Sequence, residues 1–178
     1  MRIGLVSGGF KPYHKGHHFM VEQAASENDR VIVITSPFKG RDEIKDGAML
    51  KVWNEVIIPN FPLPNVDFEF TRVPVGRVFE MLEDLEAGTM GDDTTLNIYG
   101  GARDLNARFK SDYLMRKFPQ SYGTGRIELK PLVRGEDSPV ASGTATREAL
   151  ELRDHVAFRD ALPDFLKNKA GLIIQMLL

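Results

Sequence analysis

The sequence of 178 residues contains no cysteine, which excludes disulfide bonds, thiolate nucleophiles and zinc sites built on thiolates. It has little net charge, formally −2 at pH 7, so nothing in its charge favours nucleic acid as the main partner. No apolar run approaches the roughly 20 residues of a membrane-spanning helix. Met1-Arg2 is not followed by a long apolar signal segment. These absences predict a cytoplasmic protein without a membrane span.

Histidine is also scarce, but two of the four histidines stand together in the most informative segment, which reads Gly8-Gly9-Phe10-Lys11-Pro12-Tyr13-His14-Lys15-Gly16-His17. It follows directly on an apolar run, which is typical of a buried strand that ends in a glycine-rich turn before a helix. Helix N-termini bind phosphate because their first N–H groups have no partner in the helix. Histidines there can add hydrogen bonds to a phosphoryl group as it changes geometry. The segment therefore predicts a nucleotide site for chemistry at phosphorus.

Strand-like and helix-like runs alternate along the chain, which predicts an α/β fold with a parallel sheet. We expect strands at Arg2–Ser7, Arg30–Thr35, Val66–Val73, Thr95–Tyr99 and Arg126–Leu132. We expect helices at His17–Glu27, Gly47–Ile58, Gly76–Glu86, Asn106–Lys117 and Thr144–Arg153. The prediction is a Rossmann-like sheet of about five strands in the order 3-2-1-4-5, with flanking helices and a helical C-terminal tail.

The length predicts one domain over residues 1–178, of which 155–178 form the helical tail. Pro163 should divide this tail, because proline breaks a helix interior. The apolar end of the tail is a candidate contact surface for a second copy of the chain. No repeat or low-complexity linker suggests a boundary.

Ligands of open α/β sheets bind beyond the carboxyl ends of the strands, where the strand order reverses. In the order 3-2-1-4-5 this point lies between the first and fourth strands. The first strand ends at Gly8-Gly9 and the fourth ends at Gly100-Gly101. Glycine at both ends permits close approach of the backbone to a ligand.

A second cluster, Ser142, Thr144 and Arg147, opens a predicted helix near the C-terminal end. Ser142 or Thr144 is a natural N-cap. Arg147, one turn further on, lies near the same helix N-terminus. Hydroxyls, N–H groups and a guanidinium would there converge on phosphate oxygens. An ordinary helix cap beside a surface arginine would have the same residues.

The first segment resembles the signature G-x-F-x-P-x-H-x-G-H of the H-x-G-H nucleotidyltransferase superfamily, in the form found in archaeal-type nicotinamide-mononucleotide adenylyltransferases. The second resembles the I-S-x-T-x-x-R motif of the same superfamily in Ala141-Ser142-Gly143-Thr144-Ala145-Thr146-Arg147, with Ala141 in place of isoleucine. The middle of the chain is similar to small nucleotidyltransferase-like proteins encoded by bacteriophages.

The resemblance implies that His14 and His17 contact a triphosphate, with His17 nearest the α-phosphate, and that Arg147 and Lys11 complete the catalytic set. Lys11 has a second interpretation as a solvated lysine. The other residues expected to bind the nucleotide are Gly8, Gly9, Phe10, Gly16, Gly100, Ser142 and Thr144. Tyr13 is a candidate border of the nucleotide, whereas His18 should point elsewhere because adjacent helix residues do not share a face.

The acceptor side is less defined. Lys39 and Arg41, in the loop after the second strand, either approach a phosphate or lie in solvent. Arg103 either contacts the acceptor or pairs with Asp104. Three carboxylates of the same region should face water: Asp42, Glu43 and Asp46.

The resemblance implies transfer of a nucleoside monophosphate from ATP or CTP to a small phosphorylated acceptor, with nicotinamide mononucleotide and ATP preferred. It also implies Mg²⁺ held mainly by nucleotide phosphates, with no protein metal ligand. A cytidylyltransferase or a phosphopantetheine adenylyltransferase-like activity is the alternative within the class. A non-catalytic nucleotide-binding module is the alternative outside it.

Overall fold

A computed structural model describes residues 1–132 and 141–178. Its five strands are all parallel and lie in the order β3-β2-β1-β4-β5. They are β1 (Arg2–Gly8), β2 (Arg30–Thr35), β3 (Val66–Phe70), β4 (Thr95–Gly101) and β5 (Ile127–Leu132). The predicted Rossmann-like fold and its strand order are confirmed.

The helices of the described residues cover both faces of the sheet. They are α1 (Lys15–Glu27), α2 (Ala48–Val52), α3 (Pro74–Glu86), α4 (Ala102–Arg108), α5 (Ser111–Lys117), α6 (Pro119–Gly123), α7 (Gly143–Glu151), α8 (His155–Ala161) and α9 (Ala170–Leu177). A π-helical turn (Trp53–Ile57) and a 3₁₀ turn (Ile58–Asn60) extend α2, and a second 3₁₀ segment (Asp164–Lys169) precedes α9. None of the helices in the described ranges combines the length and hydrophobicity needed to cross a bilayer.

Two apolar cores lie on opposite faces of the sheet, as alternation along buried parallel strands requires. In β2, Val31 and Val33 face the core that includes residues of α1, α2, α7, α8 and α9. Ile32 and Ile34 face the other core, which includes residues of α3, α4 and α5.

Several predicted boundaries differ from the structure for local reasons. The single helix expected over Asn106–Lys117 is wrong, because the chain leaves helical geometry at Phe109 between α4 and α5. Phe109 is buried and stacks on Phe79 with ring centroids 5.0 Å apart, so the break directs an aromatic ring into the core. The third strand ends at Phe70, because Pro74 opens α3 and the intervening residues form the connection.

The C-terminal tail divides at Pro163, as predicted. Its apolar side chains are used within the chain: Ile173, Ile174 and Leu177 are buried in the same core as α2. The carbonyl of Leu177 also accepts a hydrogen bond from the Lys45 N–H at 3.1 Å. These three side chains of the tail are therefore covered within the chain, whereas Leu172 is exposed, and contact with a second copy of the chain stays a prediction.

Candidate active site

The carboxyl ends of β1, β2 and β4 meet at one edge of the sheet. β1 pairs with both neighbours, with Gly8 opposite Thr35 and Val6 opposite Tyr99. The Thr35 hydroxyl donates a hydrogen bond to the carbonyl of Gly9 at 3.0 Å, which fixes the start of the β1–α1 loop. The first motif thus leaves the sheet at the point where the strand order reverses.

His14 is the N-cap of α1. Its Nδ1 accepts hydrogen bonds from the N–H groups of Gly16 at 3.0 Å and His17 at 3.4 Å. The His17 Nδ1 accepts the His14 N–H at 3.2 Å and completes a reciprocal capping box. An Nδ1 that accepts cannot carry the proton, so in each neutral ring the proton resides on Nε2. In its neutral form each imidazole therefore carries its N–H donor at Nε2.

The two rings are packed as a unit. Their centroids lie 3.6 Å apart, and the Phe10 ring lies 4.5 Å from His17. Tyr13 is 1% exposed and packs against Trp53, so it belongs to the core rather than to the border of a nucleotide. The stack restricts the orientation of His17.

Gly16 gives the His14 ring its place over the start of α1. A Cβ at this position would lie 2.9 Å from His14 Cε1. A Cβ at Gly8 would lie 2.7 Å from the Phe10 ring, whereas Gly9 is exposed and has open space around it.

His18 points away from His14 and His17, as expected. Its Nδ1 lies 2.9 Å from the Tyr13 hydroxyl, and its ring packs against Phe61 and Phe165. Burial lowers the pKa of His18 to about 4, although the nearby Asp164 carboxylate opposes this shift. His18 is therefore a neutral, structural histidine at pH 7.

The second motif forms the start of α7. Ser142 is the N-cap, and its hydroxyl accepts the Ala145 N–H at 3.0 Å. The Thr144 side chain is exposed at the same end. The Arg147 guanidinium folds back over this N-terminus. It lies so close to Gly143 that a Cβ on this residue would be 2.8 Å from Arg147 Nη1. Arg147 itself is 9% exposed.

The two motifs meet through Arg147. Its Nη1 donates to the carbonyl of Lys11 at 3.0 Å, across 136 positions of sequence. A Cβ on Gly16 would also lie 3.4 Å from the Ala141 Cβ. The N-termini of α1 and α7 therefore lie side by side.

Cationic side chains crowd this region. Partial burial, and secondarily the positive charge of Arg41, lower the pKa of Lys11, while Asp46 opposes the shift. Lys39 forms an exposed ion pair with Asp46 at 3.7 Å, and the Gly40 N–H and Lys39 both lower the pKa of Asp46. Arg41 sits at the start of a tight turn that it closes with Ile44.

The β4 end is less clearly connected to the motifs. Gly100 has a packing role, since a Cβ there would lie 3.0 Å from the side chain of Leu105 in α4. Arg103 is exposed. Within the described residues it forms no ion pair with Asp104, and contact with the acceptor stays a prediction.

Sequence reasoning missed Asp42 and Gly143. The Asp42 Oδ2 accepts a hydrogen bond from Arg147 Nε at 2.8 Å, which corrects the expectation that it only faces water. No local pattern indicates this pair, because 105 positions separate its members. Gly143 stands at the first x of the I-S-x-T-x-x-R motif, so the motif does not call for glycine there. The reason for glycine is the Arg147 guanidinium, which lies where a Cβ would be.

Within residues 1–132 and 141–178, no group of three or more histidine, aspartate or glutamate side chains is arranged to hold a metal ion.

No protein-family model matches the chain. Over 81 residues it is 35% identical to a nicotinamide-nucleotide adenylyltransferase of Methanothrix thermoacetophila. The match covers 38% of this chain and 45% of that relative, which is less than half of either protein.

Solved structures show likeness of fold. A Vibrio parahaemolyticus protein, provisionally described as a nicotinate-nucleotide adenylyltransferase, is 14% identical with a TM-score of 0.60, over 96% of this chain and 98% of that chain. A bifunctional NMN adenylyltransferase/ADP-ribose pyrophosphatase from Francisella tularensis, complexed with AMP and a manganese ion, is 16% identical with a TM-score of 0.60. It is matched over 99% of this chain and 51% of its own. The paired motifs, the strand order and these similarities agree with the resemblance to the H-x-G-H nucleotidyltransferase superfamily, and the likeness to the solved structures is one of fold.

Proposed function

We propose that the protein is a nucleotidyltransferase that moves a nucleoside monophosphate from a triphosphate to a small phosphorylated acceptor and releases pyrophosphate. ATP is the proposed donor and nicotinamide mononucleotide the first acceptor to test. The similarity of 81 residues to a nicotinamide-nucleotide adenylyltransferase supports this choice. A reaction that consumes a nucleoside triphosphate also fits the cytoplasmic location expected from the sequence.

The observation that carries the proposal is the contact between Arg147 and the carbonyl of Lys11. It brings two helix N-termini, two histidines and the Lys11 and Arg147 side chains to one edge of the sheet. This concentration of N–H donors and cationic side chains, which Asp42 and Asp46 offset in part, is suited to a polyanion, because N–H groups and guanidinium groups both bind phosphate oxygens. Mutual repulsion between Lys11 and Arg41 should fall when a polyphosphate binds between them.

In the proposed reaction, an acceptor phosphate oxygen attacks the α-phosphorus of the triphosphate. A new P–O bond forms as the bond between the α-phosphorus and the bridging oxygen breaks, and the electron pair leaves with pyrophosphate. The acceptor is already ionised, so no side chain has to act as a base. The work is positioning and stabilisation of charge.

The proposed roles follow from the donors. The Nε2–H groups of His14 and His17 stabilise charge on the α-phosphate oxygens. Arg147, Ser142, Thr144 and the start of α7 bind the β- and γ-phosphates, and Lys11 binds the transferred phosphate. The nucleotide lies against Gly8, Gly9, Phe10 and Gly16, with Gly100 at the β4 side. Lys39, Arg41 and Arg103 are proposed to approach the acceptor.

A divalent cation, proposed to be Mg²⁺, would arrive with the nucleotide and neutralise charge on its phosphates. The fold relative from Francisella tularensis was solved with AMP and manganese, which supports a metal bound through the nucleotide.

A matrix of ATP, CTP, GTP and UTP against phosphorylated acceptors, with Mg²⁺, tests the proposal through pyrophosphate release. We expect turnover with ATP and nicotinamide mononucleotide, and a rate about 10²–10³-fold lower with the His17→Ala variant under the same conditions. Turnover with CTP or with phosphopantetheine would reassign the substrates within the class. Triphosphate binding without turnover on any acceptor would contradict the enzyme proposal and favour a binding module.

A further inference from the structure

Asp42 lies outside both motifs, yet it holds the side chain that joins them. It is located in the loop between β2 and α2, and its carboxylate accepts from Arg147 Nε at 2.8 Å. The Arg147 side chain is 10% exposed, whereas that of Asp42 is 63% exposed. The ion pair therefore links an exposed carboxylate on the surface to a guanidinium that is largely buried.

The Asp42–Arg147 ion pair engages only the Nε donor of the guanidinium. Asp42 binds Nε, the Lys11 carbonyl binds Nη1 at 3.0 Å, and the Thr144 hydroxyl lies 3.5 Å from Nη2. A guanidinium has five N–H donors in one plane, four of them on the two Nη atoms. The hydrogen bond from Nε to Asp42 thus helps to fix the plane of the guanidinium. Lys11 and Thr144 use two of the four Nη hydrogens, and the other two can bind two oxygens of a phosphate.

The loop is built to place Asp42. Residues 41 and 44 form two backbone hydrogen bonds, of 3.1 and 2.9 Å, and close a turn with Asp42 and Glu43 at its tip. Asp42 has φ of +52°, a strained value for a residue other than glycine. Ile44 is buried, and Lys45 is bonded to the end of α9. The loop is thus tied to the core on one side and to Arg147 on the other.

We propose that Asp42 is a positioning residue for Arg147: it orients the guanidinium so that the Nη side meets the β- and γ-phosphates of the donor. The inference rests on the proposed triphosphate site. It assigns Asp42 no contact with substrate. It also assigns the β2–α2 loop a role in donor binding, in addition to the proposed role of Lys39 and Arg41 toward the acceptor.

Glu43 provides a matched control, because it is the neighbouring exposed carboxylate at the same tip and no ion pair or hydrogen bond involves its side chain among the described residues. Affinity for a non-hydrolysable ATP analogue with Mg²⁺ is measured by titration calorimetry. Asp42→Ala should weaken binding about tenfold, because residues of one hydrogen-bond network are energetically coupled. Glu43→Ala, with the same change of net charge, should stay within about twofold of wild type. Asp42→Glu should recover most of the affinity and Asp42→Asn little of it.

A double-mutant cycle separates positioning from a structural effect. In an Arg147→Ala background, Asp42→Ala should have almost no further effect on affinity for the analogue, and AMP affinity should be unchanged by Asp42→Ala alone. Wild-type or tighter binding by Asp42→Ala would overturn the inference, and so would an undiminished loss in the Arg147→Ala background. Wild-type protein that binds the analogue but releases no pyrophosphate would contradict the proposed reaction and leave this cycle decisive for Asp42. Wild-type protein that does not bind the analogue would overturn both.

Discussion

His14 combines two roles that substitution can separate. It caps α1 through Nδ1, and it is proposed to donate from Nε2 to the nucleotide. His14→Ala should lower the free energy of unfolding by about 1 kcal/mol, the typical loss of a good N-cap. His14→Asn keeps a side-chain oxygen at the cap and should restore that stability. Both variants should lose about 10²–10³-fold in rate, the range for one preorganised donor.

Urea unfolding and pyrophosphate release measure the two effects. His155 serves as the control, because it is exposed at the start of α8. His155→Asn should change neither quantity appreciably. Near-normal turnover by His14→Asn would show that the ring does not participate in the chemistry.

The buried His18 predicts a dependence of stability on pH. Its folded-state pKa of about 4 lies below the value of 6.5 expected in the unfolded chain, so the unfolded chain binds the proton more readily. Its contribution is therefore complete above pH 6.5 and is lost as pH falls toward 4. The loss for wild type should be on the order of 2–3 kcal/mol more than for His18→Gln.

Urea unfolding between pH 4 and 7.5 tests this difference. Carboxylates also titrate in this range, so the comparison of wild type with His18→Gln isolates the histidine. His155→Gln should keep the wild-type pH dependence. Parallel curves for wild type and His18→Gln would refute the lowered pKa.

At the scale of residues, short-range spacing indicates which candidate side chains lie together at one helix start. It does not indicate which residues distant in sequence contact them. The interval between His14 and His17 places both rings at one helix start, as the motif requires. The Asp42–Arg147 pair could not be foreseen, because it depends on how two loops far apart in sequence fold against each other. The interior position of Tyr13 depends likewise on its contact with Trp53.

At the scale of elements, α7 begins at Gly143, and the Arg147 side chain four positions later packs against this glycine. Alanine normally stabilises a helix relative to glycine by up to about 1 kcal/mol. At Gly143, however, a Cβ would lie 2.8 Å from Arg147 Nη1, at the far end of a flexible side chain. Gly143→Ala should therefore keep the fold and displace the guanidinium. We expect unchanged or slightly higher stability with donor affinity reduced several-fold.

Gly171 in α9 is the matched control, since a Cβ there has open space within 4 Å. Gly171→Ala should leave affinity for an ATP analogue unchanged. The analogue titration and a thermal melt of both variants give the comparison. Wild-type affinity in Gly143→Ala would mean that the orientation of Arg147 is unimportant.

Element types were predictable where periodicity was strong, and boundaries failed where tertiary contacts decide. The alternation of Val31, Ile32, Val33 and Ile34 follows directly from a sheet covered on both faces. The break at Phe109 follows from a stacking partner in α3, and the π-helical turn at Trp53 begins beside Tyr13, Phe68 and Phe70. Neither aromatic contact is visible in local sequence.

For the whole molecule, the donor should act as a stabilising ligand. The N-termini of α1 and α7 are adjacent in the structure described here, so binding needs no large rearrangement of the fold. A ligand at about 100 times its dissociation constant adds about 2.7 kcal/mol to the stability. We expect ATP with Mg²⁺ to raise the melting temperature of the wild type more than CTP with Mg²⁺ does.

Differential scanning fluorimetry at matched nucleotide concentrations measures the two shifts. Arg147→Ala is the control variant, and both shifts should be smaller in it. A larger shift with CTP than with ATP would contradict the proposed donor and favour a cytidylyltransferase.

The strand order also has a consequence for synthesis on the ribosome. β1 is the central strand, yet its neighbours begin at Arg30 and Thr95, and Arg147 follows later still. A nascent chain therefore carries an apolar strand with an unpaired edge until β4 has emerged, which exposes it to wrong pairing. The proposed triphosphate site can be completed only after α7 has left the exit tunnel. A nucleotide bound at the proposed site would stabilise the finished protein through both motifs, but it would not guide the earlier steps of folding in that way.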